Sequence, residues 1–229
     1  MSDMSNITTT NSALLRLLQL SSATLPVGGY AFSQGLEYAV EIGWVNNAQA
    51  TQEWLHEQLF NSLARVDLPL IQRQMHSLRE QDLGALNYWN QYLLACRETK
   101  ELHLTDVAMG EALQRLLKQL NVALPDNTLT EPSFLSLFCF AAHTWGIDDS
   151  AVQLGYTWAW LENQVSAATK LVPLGQTQAQ QILSAMQVHI DQAITLANTV
   201  IDDDIGSSMP ALSVASANHE IQYTRLFRS

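Results

Sequence analysis

The feature that most limits the fold is residues 134–171, which are apolar on nearly every side of a helical wheel. Runs 134–145 and 148–171 each lack a polar stripe, and a helix that is hydrophobic all round must be enclosed by others. Asp148 or Asp149 is placed to cap the second run, which would be roughly 35 Å long at ~1.5 Å per residue. Its partner is predicted over 177–201, with Ile182, Met186, Ile190, Ile194 and Leu196 as its apolar stripe. Helices 148–171 and 177–201 are expected to form the buried centre of a single all-α domain of about ten helices. No run alternates at period two for long enough to predict a sheet.

Between those helices lies an elbow, and 158–180 reads WAWLENQVSAATKLVPLGQTQAQ. Pro173 disfavours the α region at Val172, so the first helix should end there. Gly175 permits the reversal, and Thr177 with Gln180 offers a capping box for the next helix. Lys170 is the one Lys or Arg between Lys118 and Arg225, an interval of 106 residues that holds ten Asp and Glu. Helix punctuation does not explain this cation.

Shorter amphipathic helices should wrap the centre. The first begins near Asn11 or Ser12, with leucines at 14, 15, 17 and 18 as a stripe. Pro26 and Gly28-Gly29 force a loop, which lacks the Lys-Ser/Thr of a P-loop and the third Gly of a dinucleotide fingerprint. Ser33 then caps a short helix ending at Gly43, and the pattern alone makes Glu37 a solvated first-turn acid. Asn46 or Asn47 caps a third helix to about Leu63, and Asp67 with Pro69 marks a new start. Asp82 caps a helix to about Ala95, and 98–120 is a long amphipathic helix with charges of both signs on its outer face. Residues 121–132, with two prolines, form the main internal loop.

Of 229 residues, 47% are hydrophobic and 14% charged, which requires a packed core. A net charge of −11 argues against binding nucleic acid or an anionic membrane. Cys96 and Cys139 form no CxxC pair and read as buried reduced thiols. The N-terminus has no signal-peptide pattern and no stretch is long enough to span a bilayer, so a cytoplasmic location is expected. No HExxH, nucleophile elbow or Cys/His cluster is present. Asp202–Asp204 lack the alternate spacing of a Ca²⁺ loop. Glu53, His56 and Glu57 share a helix face at metal-ligand spacing, although a solvated polar face explains them. The expectation is no catalytic residue and no metal site. The last nine residues carry Ile221, Tyr223, Leu226 and Phe227, too apolar for a solvated tail.

Three blocks carry a resemblance: LPVGGYAFSQGLEYAVEIGWV (25–45), LENQVSAATKLVPLGQTQAQ (161–180) and HEIQYTRLFRS (219–229). Their order and spacing resemble the UreF family of urease accessory proteins. The resemblance implies an all-α, dimeric, non-catalytic protein. It would link a scaffold protein, UreD or UreH, to the GTPase UreG for GTP-dependent nickel insertion into apo-urease. It implies a GTPase-facing surface with Lys170, Glu162, Glu37 and Tyr30. It also implies a scaffold-binding tail with Tyr223, Arg225, Leu226, Phe227 and Arg228. The chain then divides into a flexible N-terminus (1–11), a body (12–202) and the tail (203–229). No cofactor is expected on the chain itself, with nickel handled by the assembled complex. Two alternatives stay open. One is gating of GTP hydrolysis, where Arg65, Arg73, Arg79, Arg97 and the tail arginines are the candidate fingers. The other is a nickel or small-molecule carrier built on His143, His189 and His219.

Overall fold

The computed structural model describes residues 10–122, 124–125 and 128–229. Ten α-helices account for most of them: α1 (Asn11–Leu20), α2 (Leu36–Glu41), α3 (Ala48–Gln58), α4 (Leu68–Arg79), α5 (Leu83–Ala95), α6 (Lys100–Gln119), α7 (Phe134–Thr144), α8 (Asp149–Leu171), α9 (Gln176–Ala197) and α10 (Pro210–His219). Among the described residues there is no strand. The part of the expected flexible N-terminus before residue 10 lies outside the described residues.

The N-caps follow from local chemistry. The side chains of Thr10, Asn47, Asp82, Thr99, Ser133 and Asp148 each accept a hydrogen bond from a first-turn backbone N–H. Val172 is extended, at φ −105° and ψ 147°, and ends α8 ahead of Pro173. The start of α9 differs from expectation. Its cap is Gly175, and Gln178 Oε1 accepts the Gly175 N–H at 2.9 Å, so Thr177 and Gln180 form no capping box. The reciprocal bond needs only an acceptor at the third helical position, which Gln178 supplies.

The break expected at Asp67 and Pro69 is also absent. Leu59–Asp67 is a π-helical stretch that joins α3 to α4 without interruption. A widened turn changes which carbonyl faces which N–H, so Pro69, with no N–H to give, is carried through.

The core is enclosed by α7 and α8. α7 buries Phe134 to Cys139 together with Ala141 and Ala142, and α8 buries side chains around most of its circumference. α9 buries one stripe, Ala179, Ile182, Leu183, Met186, Ile190, Ala193 and Ala197, and shows its polar face to solvent. The buried centre is therefore α7 with α8, and α9 is a flanking helix. The Gln-rich outer face of α9 is what separates it from α8. α1 packs against α8 through Gly155, where any Cβ would collide with Leu17 and Ser21. Arg79 grips Asp149 with both carboxylate oxygens, at 2.6 and 2.7 Å, tying α4 to the start of α8. The segment expected as a tail from 203 is mostly structured. Ile205, Met209, Leu212 and Ala215 are buried, and α10 packs on α2 and α6.

Candidate functional site

α10 delivers His219 into the interior, with no solvent exposure. Its Nε2 lies 2.9 Å from Glu37 Oε2, and its Nδ1 lies 2.8 Å from Glu101 Oε2. A carboxylate oxygen only accepts, so both contacts form when both ring nitrogens carry a proton. The chain then runs back across the same two acids. Leu226 N–H donates to Glu37 Oε1 at 2.6 Å and Phe227 N–H to Oε2 at 2.9 Å. Arg225 Nη1 donates to Glu101 Oε1 at 3.0 Å. Charge-assisted bonds of this kind are about twice as strong as neutral ones, and two buried carboxylates thus fasten the whole C-terminal segment.

The last residues complete the docking against the loop before α2. Arg228 N–H donates to Ala31 O at 2.8 Å. The backbone N–H groups of Ser33 and Gln34 both point to Ser229 O. Gln34 and Gly35 have φ of 52° and 81°, a left-handed pair that turns consecutive N–H groups to one side. Gly35 also lets α10 approach, since a Cβ there would press on Ser216 N and Leu212. The Thr105 and Ser229 hydroxyls share a hydrogen bond of 2.6 Å.

The expected site residues divide as follows. Glu37 is buried, not a surface contact, because α10 covers α2 and four polar groups of the C-terminal segment need its oxygens or those of Glu101. Tyr30 is 65% exposed on the loop that receives the C-terminus. Lys170 is exposed at the end of α8, with Nζ 5.4 Å from the Phe227 ring. Glu162 is half-buried and forms no ion pair among the described residues. Phe227 is buried, while Tyr223 is fully exposed and Leu226 is 64% exposed. The guanidinium of Arg228 lies 5.7 Å from the Phe32 ring. The first and third blocks, with Lys170 from the second, thus meet on one face. Its polar anchors are buried, and Tyr30, Tyr223 and Leu226 face outward.

Glu101 and Thr105 were missed by sequence reasoning, which read Ser33 only as a helix cap and His219 only as a candidate carrier residue. A buried His–Glu pairing leaves no local motif, since its partners lie 118 and 182 residues apart in the chain. The one available signal was an acid on a short helix that otherwise needed none. Among the described residues no group of three or more His, Cys, Asp or Glu side chains is placed to hold a metal ion. His219 is taken by its carboxylates, and His56 packs against His189 and Phe60. Of the arginines considered as fingers, Arg97 is held by Asp67 and Asp106, Arg79 by Asp149, Arg73 by Asp202 and Arg225 by Glu101. No described helix is long and apolar enough to cross a membrane. A second exposed feature lies on α1, where Leu17 turns inward and Leu14, Leu15 and Leu18 face solvent.

Comparison with known proteins places these features in context. The chain matches the protein-family model described as UreF over residues 45–187. It is 53% identical over 224 residues to a protein of Marinomonas sp. (strain MWYL1) named urease accessory protein UreF, covering 98% of this chain and 97% of that relative. Relatives of the same name from Alkalilimnicola ehrlichii and Pseudomonas putida (strain GB-1) are each 44% identical. The former covers 99% of this chain and 100% of the relative, the latter 95% and 98%.

Proposed function

The chain belongs to the UreF family of urease accessory proteins, a family of maturation factors and not of enzymes, and on that premise we propose that it is a cytoplasmic scaffold that bridges two other accessory proteins. One partner is the UreD/UreH scaffold and the other is the GTPase UreG. Their joint action on apo-urease is GTP-dependent nickel insertion, with the metal handled by the assembly. The observation that carries this reading is the docked C-terminal segment. A buried polar network holds it in place, Arg228 is bonded to the loop that carries Tyr30, and Tyr223, Leu226 and Tyr30 are all exposed. Exposed aromatic and aliphatic side chains on a rigid support are the usual anchors of an interface.

Lys170 and Glu162 on α8 form the GTPase-facing part of this surface. The Lys170 contact with Phe227 is a cation–π pair worth ~0.5–1 kcal/mol at an exposed site. Lys170→Glu therefore leaves the C-terminal segment docked and tests the GTPase contact. In size-exclusion chromatography the variant should keep the scaffold and lose the GTPase. Retention of both would remove Lys170 from the interface.

The chain acts as a homodimer through α1. Leu14, Leu15 and Leu18 form an apolar face with no charge among them, since Arg16 turns away to lie 4.9 Å from the Trp145 ring. A second copy offers the same face, as a two-fold contact requires. Leu15→Arg with Leu18→Arg should give a monomer by light scattering with unchanged helicity.

A further inference from the structure

Beneath the loop before α2 lies a chamber of about 80 Å³, lined by residues of that loop, the π-helical stretch, α6 and α8. Its polar wall is Asp67, Arg97, Asp106 and Tyr156. Arg97 donates to Asp67 Oδ1 at 2.6 Å and Oδ2 at 3.1 Å and also to Asp106 Oδ2, and Tyr156 donates to Asp67 Oδ1 at 2.9 Å. Burial works against the Arg97 charge, but Asp106 and Asp67 outweigh it and hold the guanidinium well above its ordinary value. Burial, with the neighbouring Asp67, raises the Asp106 carboxyl, and Arg97 offsets only part of that rise. Two carboxylates face one guanidinium, so the group carries one uncompensated negative charge when ionised.

Two buried amides border the same space and each keeps an atom without a partner. Gln58 is 2% exposed and its Nε2 donates to nothing, while Gln164 is 1% exposed and its Oε1 accepts nothing. The Gln164 amide cannot be turned to hide this. Trp160 Nε1 can only donate, so its partner on Gln34 at 3.1 Å is the oxygen. That oxygen in turn needs the Gln164 nitrogen, at 3.3 Å. Native proteins rarely leave buried amide atoms of this kind unmet. Asp106 bonds Arg97 through Oδ2, which leaves Oδ1 open to a further donor. At ~10–15 Å³ per water the volume suits several waters or one small molecule with water.

We propose that this chamber binds a small monovalent cation that carries N–H donors, of the ammonium or alkylammonium class, together with water. The cation donates to Gln164 Oε1 and Asp106 Oδ1, and water supplies the acceptor for Gln58 Nε2. Phe32, Phe134, Tyr156 and Trp160 line the remainder, and aromatic walls favour such a cation. A divalent ion does not suit the site, since Arg97 already neutralises one of the two carboxylate charges and no His or Cys lines it. An anion would face the excess negative charge.

The test is a titration of the full chain at constant ionic strength with ammonium, methylammonium, sodium and tetramethylammonium chlorides, read by tryptophan fluorescence and thermal unfolding. Ammonium and methylammonium should give a saturable rise in Tm that sodium and tetramethylammonium do not. Asp106→Asn should weaken the apparent affinity about tenfold or more, the loss of one charged hydrogen bond. Gln164→Leu removes an acceptor without touching Arg97 and should weaken it in the same direction, which keeps the test valid if Asp106→Asn fails to fold. An equal response to all four salts, or none, leaves a hydrated chamber only and overturns the proposal. A saturable response unchanged in Gln164→Leu overturns it as well, by placing the cation elsewhere.

Discussion

Glu37→Gln should release the C-terminal segment while sparing the body. Glu37 receives Leu226 N–H on one oxygen and Phe227 N–H on the other, with His219 Nε2 also on the second. Glutamine is nearly isosteric but offers one acceptor. Its amide nitrogen must then face either an N–H group or the imidazole. One buried donor left unpaired costs about 1–3 kcal/mol, and loss of the charge weakens the remaining bonds by roughly half. The sum is about 2–4 kcal/mol. At ~1.4 kcal/mol per tenfold, local opening of residues 220–229 should rise roughly thirty- to several-hundred-fold. Native-state hydrogen exchange reads this directly. The N–H groups of Ser33, Gln34 and Arg228, which the docked segment protects, should exchange faster by that factor. Amides in the middle of α8 should not change. Unaltered protection at Ser33 and Arg228 would refute the claim that Glu37 holds the segment.

Other substitutions probe separate parts of the account. Gly155→Leu forces a side chain into Leu17 and Ser21, and such overpacking costs about 1–3 kcal/mol, measurable as a lower Tm and looser protection of α1. Arg97→Met strands Asp67 and Asp106 without their partner, and breaking a buried ion pair costs about 3–5 kcal/mol, so urea unfolding should shift to a much lower midpoint. Asp67→Asn combined with Asp106→Asn in that background should recover part of the loss. Burial raises the Cys139 thiol well above its ordinary value, so it is protonated at pH 8 and shielded. Maleimide should label Cys139 only after unfolding, and labelling of Cys139 in the native protein, resolved from the half-buried Cys96 by peptide mapping, would contradict the packing of α7.

The helical class was legible because residues 134–171 offer no wet face, and because capping side chains stand where the apolar periods begin. Asp148, Asp82 and Asn47 are caps in the structure as the pattern requires. The misplaced details have physical reasons. Pro69 looked like a helix start, since Pro suits a first turn, and a π-helical stretch was the alternative that no periodicity announces. Thr177 and Gln180 fit a capping box in sequence, but the helix starts two residues earlier, with Gly175 as cap and Gln178 closing back on its N–H. Lys170 stood out as a lone cation, and its near neighbour is a ring 57 positions later in the chain. Glu37 illustrates the limit most clearly. A first-turn acid reads as solvated until α10 is known to cross it and bring His219. Long-range polar pairing depends on topology, and topology is what a one-dimensional pattern does not contain.

The bridging role is tested most directly by size-exclusion chromatography with light scattering on the chain mixed with UreD/UreH and UreG, with and without GTP. The account predicts one assembly that contains all three proteins and forms only when this chain is present. It also predicts that Glu37→Gln removes the scaffold partner from that assembly without loss of helicity. Co-elution of the scaffold and the GTPase in the absence of this chain, or elution of this chain alone from the complete mixture, would contradict it.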